Sequence, residues 1–107
     1  MPTKEVVEAT TYRIFRTGDQ RHRHYQINKE IMGVKVDDYW VQLLGRGQCN
    51  CSCPGFRAQT YAPMDHKHVK LAEDFSQRGE PPGAKYKIHG TGLKARIEYL
   101  GSKGTLN

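Results

Sequence analysis

No apolar run in this 107-residue chain is long enough to cross a membrane as a helix. The first residues are polar and hold no signal-type apolar segment, so the expected setting is the reducing cytoplasm. Cysteine is scarce. The three present, Cys49, Cys51 and Cys53, lie within five residues, and an odd number so close together makes a poor disulfide framework. Apolar residues are also few, at 36% against roughly 45–50% in typical domains, so the expected core is thin. No internal repeat or low-complexity tract occurs. Catalytic patterns are missing too: there is no Ser/His/Asp set, no phosphate-cradling glycine loop and no well-spaced carboxylate pair. An enzyme is therefore not expected.

What is present begins with size. A chain of 107 residues suits one domain, and small domains often need a metal or disulfides to hold together. Two pairs of metal-ligating side chains stand close in sequence, Cys51-Ser52-Cys53 and His66-Lys67-His68, with twelve residues between them. Thiolates and imidazoles are the ligands of tetrahedral zinc, so these four residues are the candidate site for one structural Zn²⁺. Four protein ligands leave no open position for catalysis. Cys49-Asn50-Cys51 offers the same spacing one step earlier, so Cys49 stands as an alternative ligand. The other His-x-His pair, His22 and His24, has no cysteine pair beside it and reads as surface histidine on a basic strand.

Strand patterns cover residues 11–17, 23–28 and 39–44, the last rich in aromatic and β-branched residues. Residues 49–55 form a cysteine-rich knuckle, and residues 56–61 suit a short strand or irregular chain. Asp65 is placed as the N-cap of a helix to about residue 77, with Val69, Ala72 and Phe75 at helical spacing. Neighbours at i and i+2 do not share a helix face, so His66 belongs on the loop side of the helix start and His68 on its first turn. Gly79 and Pro81-Pro82-Gly83 end the helix. Residues 85–89 and 93–100 read as two strands joined by a turn at Gly90-Thr91-Gly92.

The run Cys51-Ser52-Cys53-Pro54-Gly55-Phe56 with His66-Lys67-His68-Val69 resembles a SWIM zinc finger over about residues 22–78. That family carries Cys-x-Cys and Cys-x-His on a β-β-α frame, and here His66 stands where its third ligand is usually Cys. The resemblance implies an α+β fold: a small zinc-stabilised β-β-α finger with additional antiparallel strands before it and a C-terminal β-hairpin. The expected organisation is an arm at 1–9, a zinc-binding domain at 10–80, a hairpin at 81–103 packed on or extending it, and a tail at 104–107.

Net charge is +6, with a pI near 9.4. Residues 13–29 carry five cations against Asp19, and residues 85–103 carry five against Glu98. Aromatic residues lie among them. Basic groups suit phosphates and rings can stack on bases, so the expected partner is nucleic acid, DNA first. Candidate phosphate contacts are Arg21, Arg23, Lys67, Lys70, Lys87, Lys94 and Arg96. The SWIM resemblance implies DNA-binding or protein-interaction roles. The alternative is a small adaptor or inhibitor that docks on a larger protein, for instance by strand addition at the C-terminal hairpin.

Overall fold

The computed structural model of the chain describes residues 9–18 and 23–102. Arg21, His22, Lys103, the tail and all of the arm except residue 9 lie outside them. Six strands form one antiparallel sheet: β1 (Thr10–Thr17), β2 (Arg23–Ile31), β3 (Val34–Gly45), β4 (Gln48–Cys51), β5 (Lys85–His89) and β6 (Arg96–Gly101). Their order across the sheet is β4-β3-β2-β1-β5-β6. The short helix α1 (Pro54–Ala58), a 3₁₀ turn (Pro63–Asp65) and the longer helix α2 (Lys67–Gln77) lie between β4 and β5. The protein is thus mostly β, a curled sheet with few helices, and fits the α+β expectation only loosely.

Local chemistry accounts for the meander. β2 and β3 are joined through Met32 and Gly33, and β3 and β4 through Arg46 and Gly47, all four with φ between 53° and 83°. Two consecutive residues with positive φ make a turn whose twist matches that of paired strands, and glycine supplies the second position without steric cost. Alternation then sorts the faces. Tyr12 and Ile14, Tyr25 and Ile27, Val41 and Leu43, Cys49 and Cys51, and Tyr86 point to one buried side. Helix α2 covers that side with Val69, Leu71, Ala72 and Phe75, and the Phe75 ring meets Tyr25 edge-on at 5.7 Å.

Several details differ from expectation. Asp65 closes the 3₁₀ turn, and the N-cap of α2 is His66. Pro63 explains the shift: it opens a 3₁₀ turn at its first position, where a missing N–H costs nothing, and that turn ends at His66. Residues 54–58 form helix α1 rather than strand or irregular chain, again opened by a proline. The last strand starts at Arg96, because Gly92–Lys94 makes a 3₁₀ turn. The C-terminal hairpin is no separate layer. Tyr12 pairs with Tyr86 and Arg13 with Lys85, so β5 and β6 extend the sheet beyond β1.

Candidate metal centre

Cys51 is the last residue of β4 and faces inward beside Val41. The chain leaves the sheet just after it, held by two bonds between Ser52 and Trp40: Ser52 N–H donates to the Trp40 carbonyl at 3.0 Å, and Trp40 N–H donates to Ser52 Oγ at 2.9 Å. Fourteen residues later the chain returns with His66 at the N-cap of α2 and His68 on its first turn. The expected split of the two imidazoles between loop and helix is the observed one.

Three of the four candidate ligands converge. The ligand atoms of Cys51, His66 and His68 lie within 4.8 Å of one another, and all three residues are buried. His66 Nε2 is 3.2 Å from His68 Nδ1, and Cys51 Sγ is 3.7 Å from the same nitrogen. A tetrahedral ion bound at about 2.0–2.1 Å by nitrogen and about 2.3 Å by sulfur would put its ligand atoms roughly 3.3 Å (N to N) and roughly 3.6 Å (S to N) apart. The spacing fits. Cys53 stands outside this set of three, half-buried, with its N–H donating to Cys51 Sγ at 3.4 Å. Burial pushes up the Cys51, Tyr12 and Tyr39 pKa values, and the nearby Cys53 thiol adds a smaller push in the same direction. Cys49 is buried and pairs with Leu43 on β3, away from the set.

Gln59, which carried no sequence signal, decides which His66 nitrogen is bare. Its Nε2 donates to the carbonyls of Tyr61 and Ala62 at 3.2 and 3.0 Å. Its Oε1 therefore faces His66 Nδ1, 2.9 Å away, and that nitrogen carries the proton. Nε2 of His66 is then a lone pair aimed at His68 and Cys51. A proton on His68 Nδ1 could serve only one of its two neighbours. A cation at the centre serves all three at once.

Aromatic rings wall the cluster. Tyr39 stacks on His68 at 4.3 Å, Tyr12 tilts against it at 6.1 Å, and Phe56 of α1 meets His66 edge-on at 5.3 Å. Burial pushes the Cys51 thiol up to about 11, the Cys53 N–H opposing this, and holds His66 at about 4 and His68 at about 3. At neutral pH both imidazoles are thus neutral, the form that binds a metal. The thiol would have to release its proton on binding.

Six of the seven candidate phosphate contacts lie on β2, α2, β5, β6 and the β5–β6 connection. Arg21 lies outside the described residues. Arg23 donates to Ser76 Oγ at 2.9 Å and approaches Glu73 at 3.9 Å, tying β2 to α2. Lys70 donates to the carbonyls of Leu93 and Ala95, at 3.2 and 3.0 Å, and pins the β5–β6 connection to α2. Lys67 opens α2, Lys87 lies on β5, and Lys94 and Arg96 are exposed at the far edge. No helix among the described residues is long and apolar enough to cross a membrane. No family model matches the chain, no curated protein is similar to it, and no solved structure matches its fold.

Proposed function

We propose that Cys51, His66 and His68 bind one zinc ion as a structural clamp, and that the clamped protein is a DNA-binding module without enzymatic activity. The observation that carries the metal is the convergence of a thiol and two neutral imidazoles at tetrahedral spacing, inside an aromatic wall. The ligand set is soft enough to favour zinc over calcium or magnesium. Cys53 completes the tetrahedron by rotating its thiol toward the centre, giving the Cys51, Cys53, His66, His68 set. A ring-walled site with four protein ligands has no place for a substrate, which supports a structural role over a catalytic one. Supporting the SWIM-like reading, the β3–β4 hairpin and α2 follow one another in β-β-α order around the ligands.

The DNA reading rests on net charge +6 together with cations that carry no ion pair among the described residues, Lys67, Lys94 and Arg96. The adaptor reading has one supporting feature, the open edge of β6, where an added strand could pair. Native mass spectrometry and elemental analysis of protein purified without chelator test the metal. We expect one zinc per chain, lost in Cys51→Ser and in His68→Ala. Metal-free protein that is fully folded would overturn the clamp. Retention on immobilised DNA at low salt, with steep loss as salt rises, tests the partner.

A further inference from the structure

All three helical segments between β4 and β5 belong to the metal centre or the buried side of the sheet. The opposite side has no layer over it among the described residues. Register defines what it displays. One row runs Phe15, Gln26, Trp40 across β1, β2 and β3. The next runs Thr17, His24, Gln42, Asn50, and the one before runs Arg13, Asn28, Asp38, with Lys85 beside Arg13 on β5.

Phe15 and Trp40 are 41% and 38% exposed, although both are large apolar rings at the middle of the sheet. His24 lies nearly parallel against Trp40, with ring centres 5.5 Å apart and planes at 26°, and its Nδ1 is 2.8 Å from Thr17 Oγ1. The imidazole is thereby fixed in place and steadies the indole. With one strand between them, Phe15 and Trp40 are roughly 9–10 Å apart. Gln26 sits between them, bonded to Asn28 at 3.1 Å. Gln42 and Asn50 lie alongside with amide donors and acceptors, and Leu44 is exposed further along β3. At the β5 side of the face, Lys85 stands beside Arg13, and Lys87 stands opposite Glu98 of β6.

We infer that this open face of the sheet binds single-stranded DNA, with one base stacked on Trp40, a second on Phe15, amides of Gln26 and Gln42 at the base edges and Lys85 on a phosphate. This rests on the DNA-binding reading above and names its ligand class and surface. Rings on an open sheet reach bases only when those bases are unpaired, so a duplex cannot use them. Lys85, paired with Arg13 one step along the face from Phe15, adds positive charge for a polyanion. The exposed leucine on the same face favours thymine, whose methyl group offers an apolar contact that uracil lacks.

Trp40 is the only tryptophan, so its fluorescence reports on this face alone. The test titrates metal-loaded full-length protein with a fifteen-nucleotide oligo(dT), with oligo(U) and with a duplex, at low and high salt. We expect quenching of Trp40 by oligo(dT), weaker binding of oligo(U), and no quenching by duplex. In labelled-oligonucleotide anisotropy, Phe15→Ala and Trp40→Ala should each weaken oligo(dT) binding roughly 5- to 150-fold, the range for loss of one stacked base. Trp40→Phe should recover most of it, and melting curves confirm that the variants fold. Binding of oligo(dT) unaffected by either alanine variant overturns the surface while leaving DNA binding standing. No binding to any nucleic acid at low salt overturns both readings. Tighter binding of oligo(U), or quenching by a neutral oligosaccharide in place of oligo(dT), overturns the ligand assignment.

Discussion

Gln59 spends both amide donors on main-chain carbonyls, which leaves its oxygen nowhere to point but His66. Replacing it by leucine removes the acceptor that fixes the imidazole. Outer partners of this type are worth about 10–100-fold in metal affinity, so Gln59→Leu should weaken zinc binding by that factor in a competition titration with a chelating dye. Unchanged affinity would mean that His66 uses its other nitrogen. The buried ligands also set a pH profile for the metal-free protein. His66 and His68 have folded values of about 4 and about 3 against 6.5 unfolded, so the unfolded chain takes up protons first as pH falls. Their contribution is complete above about pH 6.5 and is lost as pH falls through the folded values. Cys51, raised from 9.0 to about 11, contributes fully below about pH 9 and loses its part as pH rises towards 11. Urea midpoints of metal-free protein should therefore plateau between about pH 6.5 and 9. The three converging residues, Cys51, His66 and His68, were legible in the sequence because Cys and His are rare and paired here. Gln59 was not, since its part comes from orientation, and residue type carries no trace of that. Asp65 misled because cap preference is shared by any turn that starts a helix.

Helix α2 has two kinds of attachment. Val69, Leu71 and Ala72 are fully buried against the sheet, and Phe75 nearly so, which holds the body of the helix without a metal. The segment from Ser52 to His66 has no fully buried side chain apart from His66, and only Cys53, Phe56 and Met64 pack partly on the core, so the proposed clamp would hold it. Chelation should thus speed amide exchange across residues 52–66 and leave β1, β2 and the second half of α2 protected. Exchange spreading through Phe75 would show that packing alone cannot hold the helix. The hairpin turns make a separate prediction. Met32 has φ of 53° and is 83% exposed, a position where asparagine is at home and methionine is strained. Met32→Asn should raise stability by roughly 0.5–1 kcal/mol, seen as a higher urea midpoint with unchanged slope. Five of the six strands were readable from alternation and residue preference, and α2 from its 3.6-residue period, whereas β4 (Gln48–Cys51) falls in the stretch read as a cysteine-rich knuckle. Helix α1 and the two 3₁₀ turns were not, because segments of three to five residues are set by a proline and by the packing around it, with no period to detect.

Across the whole molecule, α2 is latched at both ends by different chemistry. Its start meets the Cys51, His66, His68 cluster. Its far end meets the C-terminal hairpin, where the fully buried Tyr86 donates to Asp74 at 2.7 Å, Arg78 pairs with Asp74 at 2.6 Å, and Arg78 lies 4.0 Å over the Tyr99 ring. The sequence reading has a domain at 10–80 and a hairpin at 81–103 packed on or extending it. The sheet order puts β5 against β1, and Tyr86 and Ala84 join the core. This long-range pairing left no local trace for the sequence to reveal. It follows that the hairpin supports the fold as the core does. Tyr86→Ala should cost about 3–5 kcal/mol, comparable with a large share of the total stability of a domain this size. Tyr86→Phe keeps the ring and should cost about 1–2 kcal/mol, since Asp74 retains Arg78. The two latches sit towards opposite ends of an eleven-residue helix, but Tyr12 joins them, tilted against His68 and paired with Tyr86. Sites with a shared neighbour couple, so removing the metal and introducing Tyr86→Phe together should depart from the sum of their separate effects by roughly 0.5–3 kcal/mol in urea unfolding. A sum that holds to within about 0.5 kcal/mol would mean that Tyr12 carries nothing from one latch to the other.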